Sequence, residues 1–140
     1  MSDIDPQRLC VAAHELGHYI AWRKAGIRIK SIRVAGTGTS VAGNVHIGRQ
    51  KLGSPKQAHA YLVGILAGPE ADQRWCQHNG LTVHQHTWAA DMDSFAECRK
   101  HEWTRRTPDI EFRAAARRLV AANWREVVRL APQLAQRGHL

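Results

Sequence analysis

No stretch of this sequence approaches the roughly 20 consecutive apolar residues that a bilayer-spanning helix needs. The opening residues, Met1 to Pro6, are polar and acidic and lack the basic and apolar regions of a secretory signal, so a cytoplasmic location is the default expectation. Cysteine is scarce: Cys10, Cys76 and Cys98 are an odd number with no C-x-x-C spacing, which argues against a disulfide framework and against a cysteine zinc knuckle. They read instead as reduced, partly buried small hydrophobes. There is no G-x-x-x-x-G-K-[ST] loop to cradle a nucleotide's phosphates. Acidic residues are outnumbered, 12 against 20 Lys and Arg, for a net charge of +8. The positive residues are scattered and form no aromatic-interleaved stripe, so they read as a solvated basic face and not as a nucleic-acid surface. Internal repeats, low-complexity tracts and dividing linkers are also missing, which leaves a single domain over residues 1–140.

What is present is mostly helical periodicity. Asp5-Pro6 has the form of an N-cap followed by proline in the first turn, and Leu9, Ala12, Ala13, Leu16 and Ile20 recur at helical spacing. Gly26 is placed to end that helix, so a helix is predicted from about Pro6 to Ala25. Ile27 to Ile29 and Ile32 to Val34 alternate like strand, Ala35 to Gly43 reads as a loop, and Asn44 to Ile47 returns as a second strand. Ser54-Pro55 opens another helix with Ala58, Tyr61, Leu62, Ile65 and Leu66 on its apolar face. Pro69 is expected to kink or restart it, and Asn79-Gly80 to end it. After a loop to Trp88, Asp91 is expected to cap a third helix carrying Met92, Phe95 and Trp103, and Thr107-Pro108 a fourth. A last helical segment with Trp124, Val127, Leu130 and Leu134 is expected to be kinked or restarted near Pro132. The fold class is therefore mainly α (α+β), with a small sheet or hairpin beside the first helix. The five tryptophans read as core or interface anchors.

The first helix holds His14-Glu15-Leu16-Gly17-His18, an H-E-x-x-H sequence. Four residues make about one helical turn, so both imidazoles leave one face and can hold one ion. Zinc suits two imidazoles and a third protein ligand, with a fourth position left for water. Glu15, next to a ligand, then reaches that water and takes its proton as the water attacks a carbonyl polarised by the metal. The bland alternative is a pair of exposed or core histidines. Gly17 weighs against it, because glycine inside a helix costs about 1 kcal/mol relative to alanine and suggests a close neighbouring backbone. The extended H-E-x-x-H-x-x-G-x-x-H pattern fails, with Ala21 and Lys24 at its last two positions. Glu70, Asp72, His84, His86, Asp91, Asp93 and Glu97 are all chemically able to be the third ligand. The His84-x-His86 pair reads as loop decoration more than as a second metal site.

In four places, in order, the chain resembles the peptidase domain of the FtsH-type membrane-anchored AAA proteases. Ala13 to His18 resembles that family's H-E-A-G-H helix. Ile32 to Val34 with Gly43-Asn44-Val45 resembles its strand and glycine-containing edge strand. Leu66 to Ala71 resembles its L-G-G-R-A-A segment, and Asp91-Met92 its N-D-L segment. The resemblance implies zinc held by His14, His18 and Asp91, with Glu15 as general base. Asp93 is the competing third ligand; aligning Asp91 leaves Met92 and Phe95 at apolar positions. Asp91 can also be a plain helix cap, and the two roles are compatible. The resemblance further implies an edge strand, within Gly36 to Gly48, that pairs with an extended polypeptide substrate; an ordinary hairpin turn is the other reading. The chain departs from the family at Ala90, where the family has asparagine, and at Pro69. It also lacks the phosphate loop and membrane segment. The expected function is an ATP-independent zinc metalloendopeptidase acting on flexible or unfolded polypeptides, alone, as a homo-oligomer, or with a borrowed unfoldase. The alternatives are an inactive metallopeptidase-like binding module and a basic protein that contacts nucleic acid. Intact Glu15 weighs against the inactive version.

Overall fold

The computed structural model describes residues 3–83 and 85–140, without the side chains of residues 85 and 86. The first helix, α1 (Pro6–Lys24), starts as its sequence dictates. The Asp5 carboxylate accepts from the Gln7 backbone N–H, and Pro6 occupies the first turn where a missing N–H costs nothing. Ala25 ends it, and Gly26 turns the chain with φ 76°, a conformation that costs glycine little. Strands β1 (Ile29–Ala35) and β2 (Ala42–Ile47) form a two-stranded antiparallel sheet, with Ile32 opposite Val45 and Val34 opposite Gly43. The loop between them contains a short 3₁₀ turn at Gly38–Ser40. The buried residues Ile32 and Val34 of β1 pack against α1.

Helix α2 (Pro55–Asn79) is capped by the Ser54 side chain, which accepts from the Gln57 N–H, and by Gly80 at φ 64°. The helices α3 (Ala89–Cys98), α4 (Asp109–Ala122) and α5 (Trp124–Arg137) follow. α2 packs along α1, α4 covers α2, and α5 packs on α1 beside β1. Arg8 ties three of these parts together: its guanidinium donates to the carbonyls of Ala135 at 2.7 Å, Gly36 at 2.7 Å and Val34 at 3.3 Å. The outer edge of β1 is covered by the end of the chain, where Val34 N donates to Gly138 O at 2.9 Å and Arg33 bridges to His139. Among the described residues, no strand pairs with the outer edge of β2. No helix among them is long and apolar enough to cross a membrane.

The mainly helical class with a small hairpin beside the first helix is what the structure contains. Several finer expectations are corrected. α2 runs through Pro69 and α5 through Pro132 without a restart. Each proline removes one N–H bond, but the packing of long amphipathic helices outweighs that local cost. Trp103 is not on α3, because the helix stops at Cys98. The buried Thr104 hydroxyl lies 3.3, 3.1 and 3.3 Å from the carbonyls of Cys98, Arg99 and His101, offering the freed acceptors of that helix end a donor. Thr107 makes no side-chain cap; Pro108 is the cap residue of α4. The cap of α3 is Trp88, so Asp91 sits within its first turn.

Candidate metal centre

The site is built by two antiparallel helices in register. Residues four apart on α1 meet residues four apart on α2, in descending order. His14 meets Asp72, a Cβ built on Gly68 would overlap the His18 ring, and one built on Gly64 would overlap the Trp22 indole. A Cβ on Gly17 would overlap the Ala67 carbonyl oxygen. Glycines on both helices thus let the backbones close up and make room for the imidazole and indole rings. The close backbone neighbour that Gly17 implies is α2. His18 is held further by stacking on Trp22, with centroids 5.1 Å apart and planes at 14°. Trp22 stacks in turn on Tyr61 and donates its Nε1–H to the Tyr61 carbonyl at 3.0 Å.

Each imidazole has one nitrogen assigned by its partner. His18 Nδ1 lies 2.8 Å from the Gly64 carbonyl oxygen, which can only accept, so Nδ1 carries the hydrogen. His14 Nδ1 lies 3.3 Å from Asp72 Oδ2, an oxygen that also accepts from Trp88 Nε1 at 2.8 Å. The Cys76 thiol donates to the other Asp72 oxygen at 3.6 Å. A carboxylate surrounded by donors is an acceptor, so His14 Nδ1 also carries its hydrogen. Both Nε2 atoms are then free to offer lone pairs, and they stand 3.2 Å apart. Asp91 Oδ2 lies 2.7 Å from His14 Nε2 and 3.3 Å from His18 Nε2. Three lone-pair atoms converging in this way can hold a cation between them. This donor set, two imidazoles and a carboxylate with the outer nitrogens pinned to acceptors, fits zinc.

Electrostatics agree with that capacity. Burial by itself would lower the His14 pKa, but the bonds to Asp72 and Asp91 outweigh it and raise the value to about 10. For Asp91, burial pushes upward, and the hydrogen bonds and charges of His14 and His18 overcome this and hold the carboxyl well below the usual carboxylate range. In the absence of a metal, these shifts favour a proton on His14 beside ionised Asp91.

Glu15 is buried beside the group. Burial raises its pKa, and the two imidazoles partly offset the rise. Its Cγ lies directly under β2, where a Cβ on Gly43 would come within 2.7 Å of it. A cleft of about 540 Å³ opens over His14, Glu15 and Asp72. Val41 to Gly43 line one side of it, and Leu81, Thr82 and Thr87 also line it.

Of the residues able to be a third ligand, only Asp91 joins His14 and His18 in a metal-ligating group among the described residues. Asp72 lies against the far nitrogen of His14 and not at the convergence point. Glu70 faces Arg117 at 3.9 Å, Glu97 pairs with Lys100 at 2.9 Å, and Asp93 is exposed. His84 and the His86 side chain lie outside the described residues. The parts that sequence reading did not assign are the supporting ones: Asp72 as the partner of His14, Trp88 as the donor that fixes Asp72, and the Gly64 carbonyl. The glycines at 64 and 68, one turn apart on an otherwise apolar helix face, are a signal from which a tightly packed ring could have been read. No protein-family model matches the chain, and no curated protein does either.

Proposed function

We propose that the protein is a zinc-dependent metalloendopeptidase in which His14, His18 and Asp91 hold the metal and Glu15 is the general base. The observation that carries this reading is the convergence of three lone-pair atoms beside a buried glutamate that, with His14, lines a cleft. Zinc bound there would supply a Lewis acid that polarises an amide carbonyl and acidifies water. The chain's own residues supply the rest. Asp72 and the Gly64 carbonyl hold the two imidazoles in the ligating tautomer. Glu15 takes a proton from the attacking water at its carboxylate, and its burial makes it a stronger base than an exposed glutamate. The same group, once protonated, is placed to return that proton to the leaving amine.

The substrate class follows from the edge of β2. An extended polypeptide can add to an unpaired strand edge by backbone hydrogen bonds, and Ala42 and Gly43 border the cleft above Glu15. Such binding selects flexible or unfolded chains over folded ones. This arrangement supports the reading of the chain as similar to an FtsH-type peptidase domain. Metal analysis of the purified protein tests the proposal. About one zinc per chain is expected, lost in a His14→Ala, His18→Ala double variant. Full zinc stoichiometry in that variant would overturn it.

A further inference from the structure

The helical register that pairs His14 with Asp72 has one more step. One turn earlier on α1 stands Cys10, and one turn later on α2 stands Cys76. The two thiols are near enough to shift each other's titration, and both line the cleft over His14 and Glu15. They are reduced in this structure. Cys76 also donates to Asp72 Oδ1, on the carboxylate that orients His14. The third cysteine, Cys98, packs elsewhere, in the cluster around Leu62 and Phe95.

We infer that Cys10 and Cys76 are an oxidisable pair that closes to a disulfide between α1 and α2 and thereby loosens the hold on His14. With hydrogen peroxide as oxidant, the step balances. The sulfur of Cys10, the more accessible of the two, attacks one peroxide oxygen and breaks the O–O bond, giving a sulfenic acid and water. The Cys76 sulfur then attacks the sulfenic sulfur, the S–OH bond breaks, and a second water leaves. Two thiols are oxidised and one peroxide is reduced. The thiol hydrogen on Asp72 Oδ1 is lost in the process, so the support of His14 changes when the bond forms. Burial raises the pKa of both thiols, Cys76 to about 12, which keeps the pair protonated and closing slowly with mild oxidants.

The effect on the metal rests on the peptidase reading; the disulfide itself does not. The test exposes the full-length protein to hydrogen peroxide, then counts thiols under denaturing conditions and maps the peptides. Loss of two of the three thiols is expected, with a Cys10–Cys76 cross-linked peptide. Cys98→Ser should behave like the parent, and Cys10→Ser should form no intramolecular bond. Zinc release to a chelator should be about tenfold faster after oxidation, the low end for disturbing a ligand's outer partner. Cys10→Ser should abolish that response. Three free thiols, or a bond that uses Cys98, would overturn the inference. A Cys10–Cys76 bond with unchanged zinc release would overturn its coupling to the site. The thiol count and peptide map need no metal, so a protein that holds no zinc fails the metal reading while these readouts still decide the pair.

Discussion

His14 and Asp72 face each other across the α1–α2 contact, with Nδ1 3.3 Å from Oδ2, and this pairing turns the second nitrogen of His14 toward Asp91. Asp72 itself is fixed by Trp88 from the start of α3. The same short stretch of chain therefore supplies Asp91, a proposed ligand, and the donor that anchors the support of His14, another proposed ligand. Removing the Asp72 carboxylate should uncouple the imidazole without touching the three convergent atoms. We expect Asp72→Asn to keep the fold and weaken zinc binding by about 10- to 100-fold. Chelator competition on the folded variant measures this.

Asp91 and Asp93 separate cleanly. Asp91 is half-buried against both imidazoles, whereas Asp93 is exposed. Asp91→Ala should therefore lower zinc affinity far more than Asp93→Ala in the same titration. The reverse ranking would mean that α3 presents a different residue to the site.

The glycine contacts make a stability prediction. In Gly17→Ala the new methyl must occupy the space of the Ala67 carbonyl oxygen, and backbone cannot yield as a side chain tip can. Alanine's helical preference would favour the variant by about 1 kcal/mol. The overlap forces the helices apart, and overpacking of this kind costs about 1–3 kcal/mol, or more. Net destabilisation in urea unfolding is expected, together with weaker zinc binding because His14 and His18 ride on the displaced helix.

The metal-free protein should respond to pH in a definite direction. His14 is raised from 6.5 to about 10, so the stability it contributes is complete below pH 6.5 and is lost as pH rises through about 10. Asp91 is depressed, so its contribution is present above the ordinary aspartate range and is lost only in strong acid. Chelated protein should thus melt at progressively lower temperature from pH 6.5 to pH 10. Zinc-loaded protein should show no such fall, because the ion replaces the proton. Thermal melts with and without chelator measure the difference.

Much of this was legible in the sequence because it is local. Asp5-Pro6 and Ser54-Pro55 announce α1 and α2 through capping chemistry, and helical geometry alone puts His14 and His18 on one face. Asp91 is different. It reaches the imidazoles only through the docking of α3 on α2, so periodicity left it among several equals and the family resemblance singled it out. The role of Asp72 was hidden for the same reason: a carboxylate looks like a ligand until the structure reveals which ring nitrogen it faces. Of the kink or restart expected at Pro69 and Pro132, the restart does not occur, because a proline's local cost is visible in sequence while the packing that outweighs it is not. Trp103 was assigned to α3 because its spacing continues the apolar pattern, and nothing in that pattern registers the Thr104 hydroxyl at the helix end.

The central claim is that Glu15 moves a proton for a metal held by its neighbours. Comparing Glu15→Gln with the parent at equal zinc occupancy, on an unstructured casein-like substrate, tests it most directly. Glutamine is nearly isosteric and still hydrogen-bonds water, but it cannot take the proton. The parent should cleave, and Glu15→Gln should keep its zinc and its fold while losing about a hundred- to ten-thousand-fold in rate. Equal rates in the two proteins would contradict the account. So would the absence of cleavage by the zinc-loaded parent across a broad set of unfolded substrates, which would favour a binding module instead.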